Sequence, residues 1–152
     1  MPTFPGGVLE TLHLRVVRDL AASRSYYVDV LGASVVRQMG EDLVFLELAG
    51  IKIVLSVEGG PTADKPTVSF LPPPDPDVVH AELIIRVRDA EEVYLTLSAR
   101  GATFLTPPVE EPWETRCFIR DPDGYLIEIT QPPAERYGEG VPGLADYQTT
   151  TG

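Results

Sequence analysis

The side chains able to do chemistry in this chain sit inside runs that alternate like strands. Thr11-Leu12-His13-Leu14-Arg15-Val16-Val17 carries a histidine and an arginine between apolar residues. Glu82-Leu83-Ile84-Ile85-Arg86-Val87 carries a glutamate and an arginine, and Leu126-Ile127-Glu128-Ile129 carries a glutamate. A carboxylate in a half-buried strand needs a metal, a proton or an arginine. His13 with Glu82 and Glu128 is a feasible first shell for a divalent first-row metal, and a neutral imidazole suits Zn, Fe, Ni or Mn better than oxygen alone would. The competing reading makes His13 an ordinary strand residue and lets Arg15 and Arg86 neutralise the two glutamates. Freed of that task, Arg15 and Arg86 would read an oxyanion or carbonyl on a ligand, because guanidinium forks match such groups. Trp113, in an acidic loop with Glu110, Glu111 and Glu114, offers an aromatic wall for that ligand. His80 reads as a surface or linker residue, and Cys117 sits in a strand with no basic partner visible to make it a nucleophile. There is no glycine-rich phosphate loop, no Ser-His-Asp order and no paired cysteine motif.

The elements that must hold these residues follow from period and punctuation. The first run predicts a strand. Asp19 can cap a helix over Leu20–Leu31, which Gly32 ends. Strands are predicted at Ser34–Met39, Leu43–Leu48 and Ile51–Val57. The second half repeats the plan: a strand at Leu83–Val87, a helix capped by Asp89 and ended by Gly101, then strands at Thr103–Leu105, Thr115–Arg120 and Tyr125–Thr130. Asp121-Pro122-Asp123-Gly124 reads as the tight turn of the last hairpin. Val17-Arg18-Asp19 recurs as Val87-Arg88-Asp89 at an offset of 70, and Gly32-Ala33-Ser34 recurs as Gly101-Ala102-Thr103 at an offset of 69. Such ordered landmarks predict a duplicated module. The expected organisation is a first module over residues 8–60, a proline-rich linker over 61–78, a second module over 79–131 and a C-terminal tail over 132–152. Of the 15 prolines none lies between Gly6 and Gly60, so the first module makes its turns with Gly and Asp. The linker offers one further strand candidate, Thr67–Leu71.

Composition limits the partners. Twelve Lys and Arg against 23 Asp and Glu give a formal net charge of −11, which argues against nucleic acid and anionic membrane surfaces. No apolar run reaches the roughly 18–20 residues of a membrane span, and Met1 to Gly7 does not read as a secretory signal. One cysteine excludes an intrachain disulfide. The expectation is a cytoplasmic protein.

Val17-Arg18-Asp19-Leu20-Ala21-Ala22-Ser23 through Tyr26-Tyr27-Val28-Asp29-Val30-Leu31-Gly32, together with Asp121-Pro122-Asp123-Gly124-Tyr125-Leu126-Ile127-Glu128-Ile129, resembles the vicinal oxygen chelate superfamily. That superfamily groups glyoxalase I, bleomycin resistance proteins and extradiol dioxygenases, and the resemblance covers about Thr11 to Gln131. It implies an α+β fold of two βαβββ modules forming a curled, U-shaped mixed sheet around a cavity, with the helices outside. It also implies a homodimer, a small-molecule ligand and, in metal-dependent members, ligands on the first and last strands of each module. Glu128 matches the last-strand position, and the first-strand position of module two falls on Glu82. Their module-one counterparts are Val54 and Leu12, which cannot bind a metal.

The first strand poses a register problem. Leu12, Leu14 and Val16 make its apolar face, so an unbroken strand in the family register presses His13 and Arg15 against the helix. An arginine buried there without a partner costs several kcal/mol, of the order of any unpaired ion. The reading favoured here is therefore a one-residue slip or bulge near Val16-Val17 that turns His13 and Arg15 into the cavity. Otherwise Leu12, Leu14 and Val16 line an apolar half-cavity. Two functions stay open: a metal-dependent lyase, isomerase or dioxygenase acting on a small oxygenated molecule, and a metal-free protein that sequesters a small molecule, as bleomycin resistance proteins do. A third reading makes the tail, with Tyr137 and Tyr147, an arm that reaches a partner.

Overall fold

Asp19 and Asp89 cap their helices as their spacing predicts. The Asp19 carboxylate accepts from the Ala22 N–H at 2.9 Å, and the Asp89 carboxylate from the Glu92 N–H at 2.9 Å. Each satisfies one donor that the first helical turn leaves orphaned. The computed structural model describes residues 1–133; the tail beyond, with Tyr137 and Tyr147, lies outside the described residues.

The element order is β1 (His13–Val17), α1 (Leu20–Ser25), β2 (Ser34–Met39), β3 (Leu43–Leu48), β4 (Ile51–Val57), β5 (Leu83–Arg86), α2 (Ala90–Ala99), β6 (Val109–Glu111), β7 (Glu114–Arg120) and β8 (Leu126–Gln131). They form two four-stranded mixed sheets with matching order, β1-β4-β3-β2 and β5-β8-β7-β6. In each, the first strand runs parallel to the last and the other pairs are antiparallel. The α+β class and the two βαβββ modules therefore hold. The chain divides into two compact units, Met1–Asp77 with Asp121–Gly124, and residues 78–120 with 125 onward. In the first unit Val17, Tyr27, Leu46, Ile53 and Leu55 are fully buried, with α1 on β3 and β4. In the second, Cys117, Ile119, Ile127 and Ile129 are buried, with α2 on β7 and β8.

Three local expectations are corrected. The first helix is α-helical only to Ser25; Tyr26–Val30 forms a π-helical turn, in which the Leu31 N–H donates to the Tyr26 carbonyl at 3.1 Å. Thr103–Leu105 is not a strand: Phe104 makes a single bridge to Ile119, and the edge strand is Val109–Glu111. Pro107 and Pro108 supply no N–H, so the ladder can form only after them. In the linker, only Phe70 of Thr67–Leu71 pairs, with Gly59, below a Lys65 ammonium 4.7 Å from the Phe70 ring centroid. No helix among the described residues is long and apolar enough to cross a membrane.

Candidate functional site

Strand β1 settles the register. It pairs with β4 without a break, from His13 opposite Ile53 to Val17 opposite Val57. The expected slip near Val16-Val17 is absent. Arg15 therefore lies on the helix-facing side and is only 3% exposed. Its partners come from elsewhere in the chain. The Arg15 Nη1 donates to the Tyr27 hydroxyl at 2.7 Å, and that hydroxyl donates to Asp121 Oδ2 at 2.8 Å. The guanidinium lies 3.7 Å from the same Asp121 oxygen. Burial, first, and the Asp121 carboxylate, second, push the Tyr27 phenol far above its ordinary value, so it stays a neutral hydrogen-bond relay. The cost that argued for a slip is offset by a partner from the last hairpin turn.

The whole turn is held in the same way. The Asp123 carboxylate accepts from the Arg18 N–H at 2.8 Å and from the Ser23 hydroxyl at 3.0 Å. Arg18 also spans to the Pro73 carbonyl at 2.8 Å. Asp121 and Asp123 are both buried. Their sequence looked like a hairpin turn and no more. Two carboxylates in one turn, with Arg120 as the sole cation beside them in sequence, are the one signal of remote basic partners.

His13 is exposed on β1, and burial, first, and the nearby Arg15 charge, second, hold its imidazole below the ordinary range. It belongs to the first unit, whereas Glu82 and Glu128 belong to the second. Those two glutamates do come together. Glu128 stands on β8 opposite Ile84 of β5 and Phe118 of β7, and is 7% exposed. Its carboxyl lies close enough to Glu82 to feel that residue's charge. Burial, then the Glu82 charge and hydrogen bond, then Glu114, raise the Glu128 pKa, against a smaller opposing effect of Arg116.

Partners across a ladder share a face, so this side of the second sheet can be laid out by row. Ile84, Glu128 and Phe118 stand in one row, and Arg86, Thr130, Arg116 and Val109 in the next. Thr130 Oγ1 donates to Glu114 at 2.8 Å, Arg116 pairs with Glu114 at 3.2 Å, and the Arg116 guanidinium lies 5.5 Å from the Phe118 ring centroid. Ile84 is 51% exposed, and Trp113, in the turn between β6 and β7, is 55% exposed. Neither Arg15 nor Arg86 neutralises the glutamates: Arg15 serves Asp121, and Arg86 makes no ion pair among the described residues.

The register makes Leu14 opposite Val54 the counterpart of Ile84 opposite Glu128, so Leu12 and Val54 stand where module two has Glu82 and Glu128. Among the described residues no group of three or more His, Cys, Asp or Glu is placed to hold a metal. Two carboxylates, with hydrocarbon at the duplicate positions and no third ligand grouped with them among the described residues, are too few donors for a resident divalent ion, and no reaction step is derived through one.

Solved structures with the same fold include a glyoxalase/bleomycin resistance protein/dioxygenase from Nocardioides, at 21% identity and TM-score 0.67 over 87% of each chain. Lactoylglutathione lyase from Agrobacterium tumefaciens is 18% identical with TM-score 0.62, over 84% of this chain and 95% of that one. TioX from Micromonospora sp. ML1 is 22% identical with TM-score 0.60, over 80% and 97%. At these identities the likeness is one of fold. No curated protein matches the chain. The profile of one family matches residues 11–129, which takes in both sheets and both helices, and the chain belongs to the Glyoxalase/Bleomycin resistance protein/Dioxygenase superfamily.

Proposed function

We propose that this protein binds a small organic molecule on the β5-β8-β7-β6 sheet face without a metal, in the manner of the sequestering members of its superfamily. The observation that carries the reading is Val54 and Leu12 at the positions that duplicate Glu128 and Glu82, because hydrocarbon there leaves the donor set at two carboxylates. A protonated carboxyl donates one hydrogen bond and a carboxylate accepts several, so the pair suits a ligand hydroxyl, amide or amine. Ile84 and Phe118 supply apolar contact beside it, and Trp113 an aromatic edge. The working form is proposed to be a homodimer, which light scattering would overturn by returning the mass of a single chain.

Metal analysis of protein grown with Zn, Fe, Ni and Mn supplied tests the central claim. The expected content is under about 0.1 equivalent of each, with no rise in melting temperature on adding any of them. Near-stoichiometric metal, lost together with thermal stability on chelation, would overturn it and favour a metal-dependent lyase, isomerase or dioxygenase.

A further inference from the structure

Arg86 stands out on the face just described. It lies opposite Thr130, one row from Glu128 and on the same side of the sheet. Glu128, one row away, makes no ion pair with it, and Glu114 takes Arg116 and Thr130 instead. Among the described residues the Arg86 side chain has no hydrogen bond and no ion pair, and it is exposed. The two arginines of this row are therefore unlike. Arg116 is tied to a carboxylate and stacked on Phe118, while Arg86 keeps its whole fork of donors for something outside the protein.

Spacing turns this into a ligand specification. Along a strand, residues on one face repeat every two positions, about 6.6–6.8 Å apart. Glu128 and Ile84 fill one row, and Arg86 and Thr130 the next. A molecule lying along β5 thus meets a hydrogen-bonding carboxyl pair, an exposed isoleucine flanked by a half-buried phenylalanine, and a free guanidinium, in that order. The chain's net charge of −11 opposes anions in general. At physiological salt that field is screened beyond about 8 Å, so the immediate neighbours decide.

Resting on the proposed binding function, we infer that the ligand is a small carboxylic acid whose carboxylate is read bidentately by Arg86. Its apolar body lies over Ile84 and Phe118, and a hydroxyl or amine about one aromatic ring away from the carboxylate meets the Glu82–Glu128 pair.

A titration with 4-hydroxyphenylacetate, phenylacetate, 4-hydroxyphenylacetamide and the corresponding 4-amino acid, read by calorimetry and thermal shift, tests this. The hydroxy or amino acid should bind, and the carboxamide should bind at least about tenfold more weakly, because a charge-assisted fork is lost. Arg86→Gln should weaken the acid at least about tenfold and leave the carboxamide unchanged, and Arg86→Lys should fall between, since lysine cannot form the fork. Equal binding of acid and carboxamide, no effect of Arg86→Gln, or no stabilisation by any of these acids at millimolar concentration each overturns the inference. Failure of this kind in protein that is free of metal leaves the proposed function standing. Near-stoichiometric metal would remove the proposed function itself.

Discussion

At the scale of single residues, the two chemically loaded strands resolve their charges in opposite ways. Arg15 is buried as a cation and matched by Asp121 and Tyr27. Glu128 is buried beside Glu82, and burial together with that charge favours its protonated form. The second solution has a pH signature. Burial and Glu82 hold the Glu128 carboxyl above the ordinary glutamate value, so the native state keeps a proton that the unfolded chain releases. Between the ordinary and the raised value the fold binds more protons than the unfolded chain, and stability falls as pH rises through that window. Glu128→Gln cannot ionise and should lose less stability than the parent on going from about pH 4 to about pH 8. Urea denaturation at several pH values measures this, and a parent–variant difference that is constant with pH contradicts it. The alternation of Glu82, Ile84 and Arg86 was legible in the sequence. Arg15's environment was not, because strand period gives a side chain's face and says nothing of a partner far down the chain.

At the scale of elements, the turn Asp121–Gly124 and the proline segment before β5 fit each other closely. Gly124 has φ +91°, and a Cβ there would stand 2.8 Å from Pro76 Cβ. Gly101, after α2, has φ +104° but nothing within 4 Å of its would-be Cβ. The two glycines therefore separate backbone strain from crowding. Gly101→Ala should cost about 1 kcal/mol, from the positive φ alone. Gly124→Ala should cost that and a further 1–3 kcal/mol or so for overpacking against a rigid ring. Denaturant midpoints decide it, and equal losses would mean that Pro76 moves aside freely. Strands β2, β3 and β4 have the bounds their pattern predicts, because Gly-Glu-Asp and Ala-Gly turns delimit them sharply. The edge of the second sheet was misplaced because apolar residues around Leu105 look strand-like, while the missing N–H groups of Pro107 and Pro108 act only on ladder formation.

At the scale of the whole molecule, four residues between β7 and β8 cluster with the first unit while both flanking strands belong to the second. Arg15 and Tyr27 on Asp121 and Ser23 on Asp123 are buried anchors, and Arg18 is an exposed one on Asp123. Asp121→Ala leaves the Arg15 charge buried without its partner and should cost about 3–5 kcal/mol. Denaturant midpoints of Asp121→Ala measure this, and a loss below about 1 kcal/mol would contradict it.

The sequence by itself determined the duplicated βαβββ plan, the helix caps, the superfamily and the strand face on which Glu82, Arg86 and Glu128 lie. All of these rest on local period, turn residues and spacing, which the chain carries along its length. Only the tertiary structure decided what surrounds each charge: Arg15 meets a turn from the other end of the chain, Glu128 is buried beside Glu82, and exposed Arg86 meets no carboxylate among the described residues. The electrostatic energy of a group depends on what surrounds it within a few ångströms. For this chain those neighbours are brought together by the fold, from positions that sequence order keeps far apart.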